Sequence, residues 1–519
     1  MCIFSAKMSP YQLNCLPVEI LQAIGDFVQS TADVGSLVLS NKYLNDVLTP
    51  MLYSSIYLQD SVTAAMCITT LVGLPEDNFQ GRDLATYVRV FSCDCETHFV
   101  ISPEAKDFYQ HLKRAVSRMT GLQNLKSLNV TLFTPSLCLS LFHAAAATLQ
   151  SLDVGISRSS SWIDDSDKQA LLGVSPTCPS LVEVRLDLCS SPSGPFFVFL
   201  RRLLSSHQNQ LHTLFLSARS LPPVRSVLRD TTGWLVLERL ELEVDALSAD
   251  WLPQTPMVRS LTINGDPSLV LGREDPSRDN TSYIISGTRG KLYLPPTAFP
   301  RLEELVCSHG ILRLFLPPNS PAPRPIRKIE LDKASYWRKG LDSCPDWYIS
   351  GESVWRALSY LPNSSAPVRE LALVVQHLDM RAFVVQAGPS LKTLESLVLV
   401  THEDPTDHAA FSRLGEDLFA HMPKLHTFIL SDGPAKAMDE CESFGCGEDV
   451  DRQRIWLELW EAHAPALVTV AFTNDFTWTK KQYGWENDKL EILEGASTES
   501  ESPRLAEKLS EFATAEVHQ

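Results

Sequence analysis

The stretch THEDPTDH sets His402, Glu403, Asp404, Asp407 and His408 close together, and these residue types bind divalent cations. Pro405 interrupts any helix that would turn the two imidazoles to one side, so the segment reads as a polar loop. CESFGCGED at Cys441–Asp449 and CDC at Cys93–Cys95 are cysteine pairs with no second pair at zinc-ligand spacing. They read as loop thiols. The linear arrangements that carry acyl transfer, phosphoryl transfer or metalloprotease chemistry are missing: no G-x-S-x-G, no G-x-x-x-x-G-K-[ST], no G-x-G-x-x-G and no H-E-x-x-H. The expectation is a protein that is not an enzyme, with no catalytic, cofactor or metal site. A catalytic alternative would need a pocket built from residues that form no linear motif.

The elements around these residues are those of an ordered chain. With 519 residues it is too long for one core of ordinary size, so several domains or one elongated repeat structure is expected. Hydrophobic residues make up 44% and charged residues 21%, enough to bury a substantial core, while a formal charge of -17 argues against general binding to nucleic acid or anionic membrane. A basic or neutral partner fits better. The opening residues MCIFSAKMSPYQLNCLP lack a charged region followed by an unbroken apolar run, and no later stretch is long and uncharged enough to span a bilayer. The expectation is a soluble protein of cytoplasm or nucleus. Its 12 cysteines are scattered without a framework, as reduced thiols would be.

Beyond residue 85 an L-x-x-L-x-L phrase recurs. It reads LKSLNV from Leu125, LQSLDV from Leu149, LVEVRL from Leu181, LHTLFL from Leu211 and LERLEL from Leu237. It continues as VRSLTI from Val258, LEELVC from Leu302, IRKIEL from Ile326, VRELAL from Val368, LESLVL from Leu394, LHTFIL from Leu425 and LVTVAF from Leu467, with YVRVFSC at Tyr87 as a degenerate early copy. Helical stretches separate the short strands, for example from Ser102, Phe196, Ser353, His408 and Arg452. Strand and helix alternating at a period of a few tens of residues, with leucine at fixed offsets, predicts a leucine-rich-repeat solenoid. A mixed α/β enzyme would also alternate the two, without needing leucine at both the first and the fourth position. The segments 265–299 and 332–367, rich in Pro, Gly, Ser and Asp, read as surface insertions, and 489–519 as a polar, disordered tail.

The block 13–58, LNCLPVEILQAIGDFVQSTADVGSLVLSNKYLNDVLTPMLYSSIYL, follows a short tail at 1–12 and holds three short helical patterns. In the first, Leu16, Ile20, Leu21, Ile24, Phe27 and Val28 fall on one face behind Pro17. Three helices of this size bury too little to stand alone, so they should dock on the following domain and on something external. Anchors at the spacing of Leu16, Ile20 and Ile24 suit docking in a partner's groove. The competing reading is an N-terminal cap that shields the end of the solenoid.

LPVEIL, followed by VGSLVLSNKYLNDVLTPMLYSSIYL, resembles an F-box, and the whole chain resembles a fungal F-box protein with divergent leucine-rich repeats. The later WLELWEAHAPALVTVAFTNDFTWTKKQYGW is similar to the terminal repeat of such proteins, where a Trp-rich helix precedes a final strand. The resemblance implies an α/β chain: an N-terminal three-helix F-box at 13–58, then an irregular leucine-rich-repeat solenoid of short parallel strands alternating with helices over 59–488. It further implies a substrate-recognition adaptor of a Skp-cullin-F-box E3 ubiquitin ligase, the F-box binding Skp and, through it, cullin, and the repeats binding the target protein. Leu16, Pro17, Ile20 and Leu21 match the family's Leu-Pro-x-Glu-Ile-Leu opening, and Leu37, Leu39 and Leu52 match later apolar positions. Tyr43 stands where many members carry Trp. With Ile24, these make up the expected Skp-binding set. The alternative is a non-catalytic repeat scaffold that recruits no ligase.

Side chains alternate along a strand, so the residues between consensus leucines line the concave face. Its central positions are Asp153, Glu183, Arg185, Asp187, Arg239, Glu241, Glu243, Asp245, Glu304, Lys328, Glu330 and Asp332, nine acidic and three basic. A negative face that prefers a basic segment of its target is expected, against the plainer reading of a solvated charged surface. Val374, Val398 and Ile429 would make the far part of the face an exposed apolar contact patch. Clustered arginines for reading phosphate are lacking, so an unmodified target segment is expected.

Overall fold

The computed structural model describes residues 16–28, 30–73, 83–94, 103–128, 134–156, 165–174, 176–188, 194–218, 233–243, 255–264, 283–284, 291–292, 294–295, 297–332, 351–375, 380–401, 408–432, 450–472, 476–482 and 484–487. The chain divides into two compact units, Met1–Leu305 with Ser320–Pro325, and Val306–Asn319 with Ile326–Gln519.

The first unit opens with α1 (Val18–Phe27), α2 (Thr31–Ser40) and α3 (Lys42–Leu52). Pro17 precedes α1 with φ already near the helical value, and the Asn41 side chain accepts the Tyr43 N–H to start α3. Leu21, Val34, Val38, Leu44, Val47 and Leu48 form the buried centre, with Leu16, Val28, Leu37, Tyr43, Met51 and Leu52 packed around it. A Cβ on Gly25 would lie 2.9 Å from Met51 Cε, the end of a flexible side chain at the place where α1 meets α3.

The repeats begin inside the block expected to be F-box alone. Its last residues form β1 (Ser55–Leu58), followed by α4 (Ser61–Val72), β2 (Val90–Cys93), α5 (Pro103–Arg118), β3 (Asn124–Leu128), α6 (Pro135–Ala145), β4 (Ser151–Ile156), α7 (Asp165–Gly173), β5 (Glu183–Leu188), α8 (Gly194–His207), β6 (Thr213–Ala218), β7 (Arg239–Glu243) and β8 (Ser260–Asn264). Adjacent strands in this series pair in parallel in sequence order. A short antiparallel pair, β9 (Tyr283–Ile284) with β10 (Lys291–Leu292), stands apart from the series.

The consensus leucines supply the core, as their spacing predicts. Leu149, Leu152 and Val154 are each buried, as are Leu181, Val184 and Leu186, then Leu211, Leu214 and Leu216. Between the first and second leucine of each repeat, one carbonyl accepts two successive N–H groups of the next repeat. Gln123 O takes Gln150 N and Ser151 N, Gln150 O takes Val182 N and Glu183 N, and Val182 O takes His212 N and Thr213 N. This shared acceptor sets the register of the whole series. It also corrects one boundary: the carbonyl equivalent to Gln150 is Gln123, so the repeat expected from Leu125 starts at Leu122, and the register shift between Leu125 and Leu128 absorbs one extra residue.

In the second unit, β12 (Lys328–Leu331), β13 (Glu370–Val375), β14 (Ser396–Thr401), β15 (Thr427–Asp432) and β16 (Thr469–Phe472) are again parallel. β11 (Glu304–Cys307) straddles the division between the units. α9 (Leu312–Phe315), α10 (Gly351–Leu358), α11 (Met380–Ala387), α12 (His408–Asp417) and α13 (Val450–Glu461) are the α-helices among the described residues of this unit. β17 (Phe476–Lys481) and β18 (Gly484–Asn487) turn back antiparallel, so the parallel order stops at β16. Trp456 and Trp460 of α13 are buried, and Trp478 Nε1 donates to Gln453 Oε1 at 2.7 Å.

Parts of the two segments expected as insertions, 265–299 and 332–367, are core. Leu294, Ala298 and Phe299 are buried, and α10 buries Val354, Trp355 and Leu358. The rest of both segments lies largely outside the described residues. No helix among the described residues is long and apolar enough to cross a membrane.

Candidate functional site: an apolar helix face and an open strand face

The nine residues expected to bind Skp do not form one surface. At 100° per residue, Leu21, Gly25 and Val28 turn toward α2 and α3, while Ile20, Ile24 and Phe27 turn away. Leu21 is only 2% exposed and belongs to the bundle core, which overturns its place in the partner contact. Leu16, Leu37, Tyr43 and Leu52 are half-buried against the same core. Tyr43, expected to stand in for a partner-facing Trp, instead donates its hydroxyl to Leu16 O at 3.1 Å. Pro17, Ile20, Ile24 and Leu39 remain exposed, Leu39 at 86%. Val18 and Phe27 join them, with Phe27 87% exposed. Neither was singled out as a contact from the sequence; dividing the broad apolar arc of α1 into two stripes, one position apart, would have found Phe27.

Further apolar residues are exposed along the next elements: Tyr57 on β1, and Val62 and Met66 at i, i+4 on α4. Among the described residues, eight of the fourteen large hydrophobic residues that stand exposed fall between Val18 and Met66. That concentration marks the start of the described chain, rather than the repeats at large, as the apolar surface.

The strand face of the first unit is open and polar. Register places Asp153, Arg185, Phe215, Glu241 and Thr262 side by side across β4 to β8, and Ser92 beside Lys126 on β2 and β3. A second row crosses Ser151, Glu183, Thr213, Arg239 and Ser260, and a third crosses Gly155, Asp187, Ser217, Glu243 and Asn264. The face is therefore not uniformly negative, because Lys126, Arg185 and Arg239 stand among the carboxylates. Arg185 Nε donates to Glu183 Oε1 at 2.7 Å, and the Arg185 guanidinium lies 6.0 Å from the Phe215 ring centre. Burial pulls the Arg185 pKa down, but the Glu183 hydrogen bond and the charges of Glu183, Asp153 and Glu241 more than reverse this and hold it above its ordinary value. Ser151 Oγ donates to the other Glu183 oxygen at 3.2 Å, and Asn264 Nδ2 donates to Glu241 Oε1. Asp153, Glu183, Asp187 and Glu241 are all half-buried. Glu243 is the last residue of β7, and Asp245 lies outside the described residues.

The second unit differs. Glu330 sits half-buried on β12, but Asp332 has a φ of 60° just past the strand, and its carboxylate accepts His309 N at 3.3 Å and faces His309 Nδ1 at 3.1 Å. It caps a turn, which removes it from the expected binding face. Val374 and Val398 are 1% and 6% exposed, and with Ala372 and Val400 they form an apolar cluster that Ile429 flanks. Leu371, Leu373, Leu397 and Leu399 are buried on the opposite side of the same strands. β13 and β14 are thus core on both faces, and the exposed patch expected at Val374, Val398 and Ile429 is absent.

No group of three or more His, Cys, Asp or Glu able to hold a metal occurs among the described residues. His408 begins α12, while His402, Glu403, Asp404, Asp407, Cys95, Cys441 and Cys446 lie outside the described residues. Cys93 is a buried thiol on β2.

No family model matches the chain, and no curated protein matches it. Among solved structures, it is similar to the leucine-rich repeat-containing protein LegL7 from Legionella pneumophila, at 16% identity and a TM-score of 0.35 over 66% of this chain and 100% of that one. It is also similar to the Rad7 and Elc1 complex in yeast, at 13% identity and a TM-score of 0.32 over 89% of this chain and 88% of that one. Scores this low leave the leucine-rich-repeat-like solenoid resting on the strand order and buried leucines themselves.

Proposed function

We propose that this chain is the substrate receptor of a Skp-cullin-F-box ubiquitin ligase and that it performs no bond chemistry itself. The observation that carries the reading is the division of labour within α1. Leu21, Gly25 and Val28 pack against the other two helices, which leaves Val18, Ile20, Ile24 and Phe27, with Leu39 of α2, as exposed apolar side chains. An amphipathic helix with anchors at this spacing lays its outer stripe into a groove of its partner, and Skp is the partner that the F-box likeness of 13–58 implies. The open strand face of the first unit then holds the target.

Co-purification with Skp tests this, comparing the full chain with an Ile24→Asp, Phe27→Asp variant whose fold is checked by circular dichroism. Both positions are solvent-facing, so the variant should fold, while charge placed in a desolvated contact costs several kcal/mol, enough to abolish a micromolar complex. Skp retained by the folded variant, or no Skp on the intact chain, counts against the reading. One observation favours the alternative of a repeat scaffold without a ligase: Tyr43, aligned with a partner-facing Trp in the family, is spent on an internal hydrogen bond.

A further inference from the structure

We infer that Phe215, on β6 in the middle of the open face, is the anchor on which the target polypeptide seats an aromatic side chain flanked by basic residues. The inference rests on the reading that the open face of the first unit holds the target protein. In the rows that cross β4 to β8, Phe215 is the one large apolar side chain, with Arg185 of β5 and Glu241 of β7 as its neighbours in register. Alternation buries Leu214 and Leu216 on either side of it, whereas Phe215 itself is only half-buried. Part of a ring is thus left in water within a polar surface, and a partner that covers it removes apolar area that folding did not. An aromatic centre inside a polar rim is the arrangement in which a few residues carry most of the binding energy of an interface.

The rim selects the ligand. Arg185 Nε is held to Glu183 Oε1 at 2.7 Å, and the guanidinium stands 6.0 Å from the Phe215 ring centre, at the limit of a cation–π contact. It borders the ring and is already fixed there. A second cation stacked on Phe215 would meet that like charge, whereas an uncharged ring does not, so the group seated on Phe215 is a neutral aromatic. On the strands around it the carboxylates of Asp153, Glu183, Asp187 and Glu241 outnumber the guanidiniums of Arg185 and Arg239. Arg185 lies in the fields of Glu183, Asp153 and Glu241 at once and cannot neutralise all of them. The rim therefore keeps a net negative charge, which favours basic residues on either side of the aromatic one.

The test is fluorescence-anisotropy titration of the full chain with labelled peptides of one length, in which Trp alternates with Arg, Ala alternates with Arg, or Trp alternates with Glu. The Trp–Arg peptide should bind, the Ala–Arg peptide should bind about tenfold more weakly, and the Trp–Glu peptide should not bind. Phe215→Ala, its fold checked by circular dichroism, should weaken the Trp–Arg peptide about tenfold and the Ala–Arg peptide less than about twofold. Equal weakening of both would mean diffuse attraction and would overturn the proposal, as would an Ala–Arg peptide as tight as the Trp–Arg one, or no binding of the latter. A second readout needs no variant: a Trp–Arg peptide carrying benzoylphenylalanine in place of one Trp should photocrosslink to β5, β6 or β7 of the unaltered chain, and crosslinks confined to other elements would count against it. Skp co-purification from the same preparations separates the two readings. Phe215→Ala should keep Skp, and the Ile24→Asp, Phe27→Asp variant should keep the peptide, so peptide bound without Skp sinks only the ligase reading and Skp bound without peptide sinks only the anchor.

Discussion

The Tyr43 hydroxyl donates to the Leu16 carbonyl at 3.1 Å and so pins the entry to α1 against α3. Leu16 precedes Pro17, whose ring cannot donate, and the contact fixes the direction in which α1 leaves. Tyr43→Phe deletes the donor while keeping the ring packed. It should lower stability by about 1 kcal/mol, the usual net worth of such a bond, without preventing Skp capture. Urea denaturation and the pull-down together check this, and loss of Skp with the fold intact would move Tyr43 back into the interface.

Gly25 sits where α1 crosses α3. A Cβ there meets Met51 Cε at 2.9 Å and Leu48 Cδ2 at 3.1 Å, both at the ends of flexible side chains. Gly25→Ala should be nearly neutral, since the gain in helix propensity, about 1 kcal/mol, offsets a small shift of Met51. Gly25→Leu should overpack the crossing, cost about 1–3 kcal/mol and weaken Skp capture by displacing α1. Thermal melts of the two variants distinguish these outcomes.

His207 is buried with both ring nitrogens engaged: Nδ1 lies 2.6 Å from Leu203 O, and Nε2 accepts Cys178 N at 2.8 Å. The neutral ring protonated at Nδ1 satisfies both partners. Burial lowers the pKa below 6.5, with the Leu203 and Cys178 hydrogen bonds working partly against it. The unfolded chain therefore takes up a proton that the folded chain resists. Its contribution to stability is complete well above pH 6.5 and is lost as pH falls below 6.5 toward the lowered folded value. Between about pH 7.5 and about pH 5.5 the unaltered chain should lose more stability than His207→Asn, as read from urea midpoints. Equal losses would show that His207 is not the group responsible.

Asp332 couples a left-handed backbone to a cap on His309. Asp332→Ala keeps the φ of 60° and removes the carboxylate, so it should cost about 1–3 kcal/mol from the lost cap and the strained backbone combined. Asp332→Gly removes the cap but relieves the backbone, and should be the milder change. The reverse order in denaturation midpoints would mean that strain contributes little here.

Val374, 1% exposed, is the sharpest test of whether β13 is core on both faces. Val374→Ala should destabilise by about 1–3 kcal/mol, as deletion of two buried methyl groups does. Unchanged stability together with weakened target binding would restore the contact patch that the sequence suggested.

Much of this architecture was legible in the sequence, because leucine at the first, fourth and sixth positions has only one physical use. Leu181, Val184 and Leu186 must leave water together, and a strand is the conformation that turns the latter two to one side. Boundaries were less legible. Leu125 satisfies the repeat phrase better than Leu122, whose sixth position is Ser127, and only the Gln123 carbonyl, shared by two N–H groups of the next repeat, shows which register is adopted. The sequence by itself determined that an apolar helix opens the described chain and that acidic residues crowd the early strands. Tertiary structure decided which residues remain available. Leu21 and Ile20 are neighbours of the same hydrophobicity, yet one is core and the other surface because α3 packs on a single side of α1. Asp332 and Glu330 look alike in a strand pattern, but the chain turns at Asp332 and spends its carboxylate on His309. Val374 and Val398 likewise follow the pattern of exposed strand residues. Their burial depends on contacts across the second face of the sheet, which alternation along a single strand cannot encode.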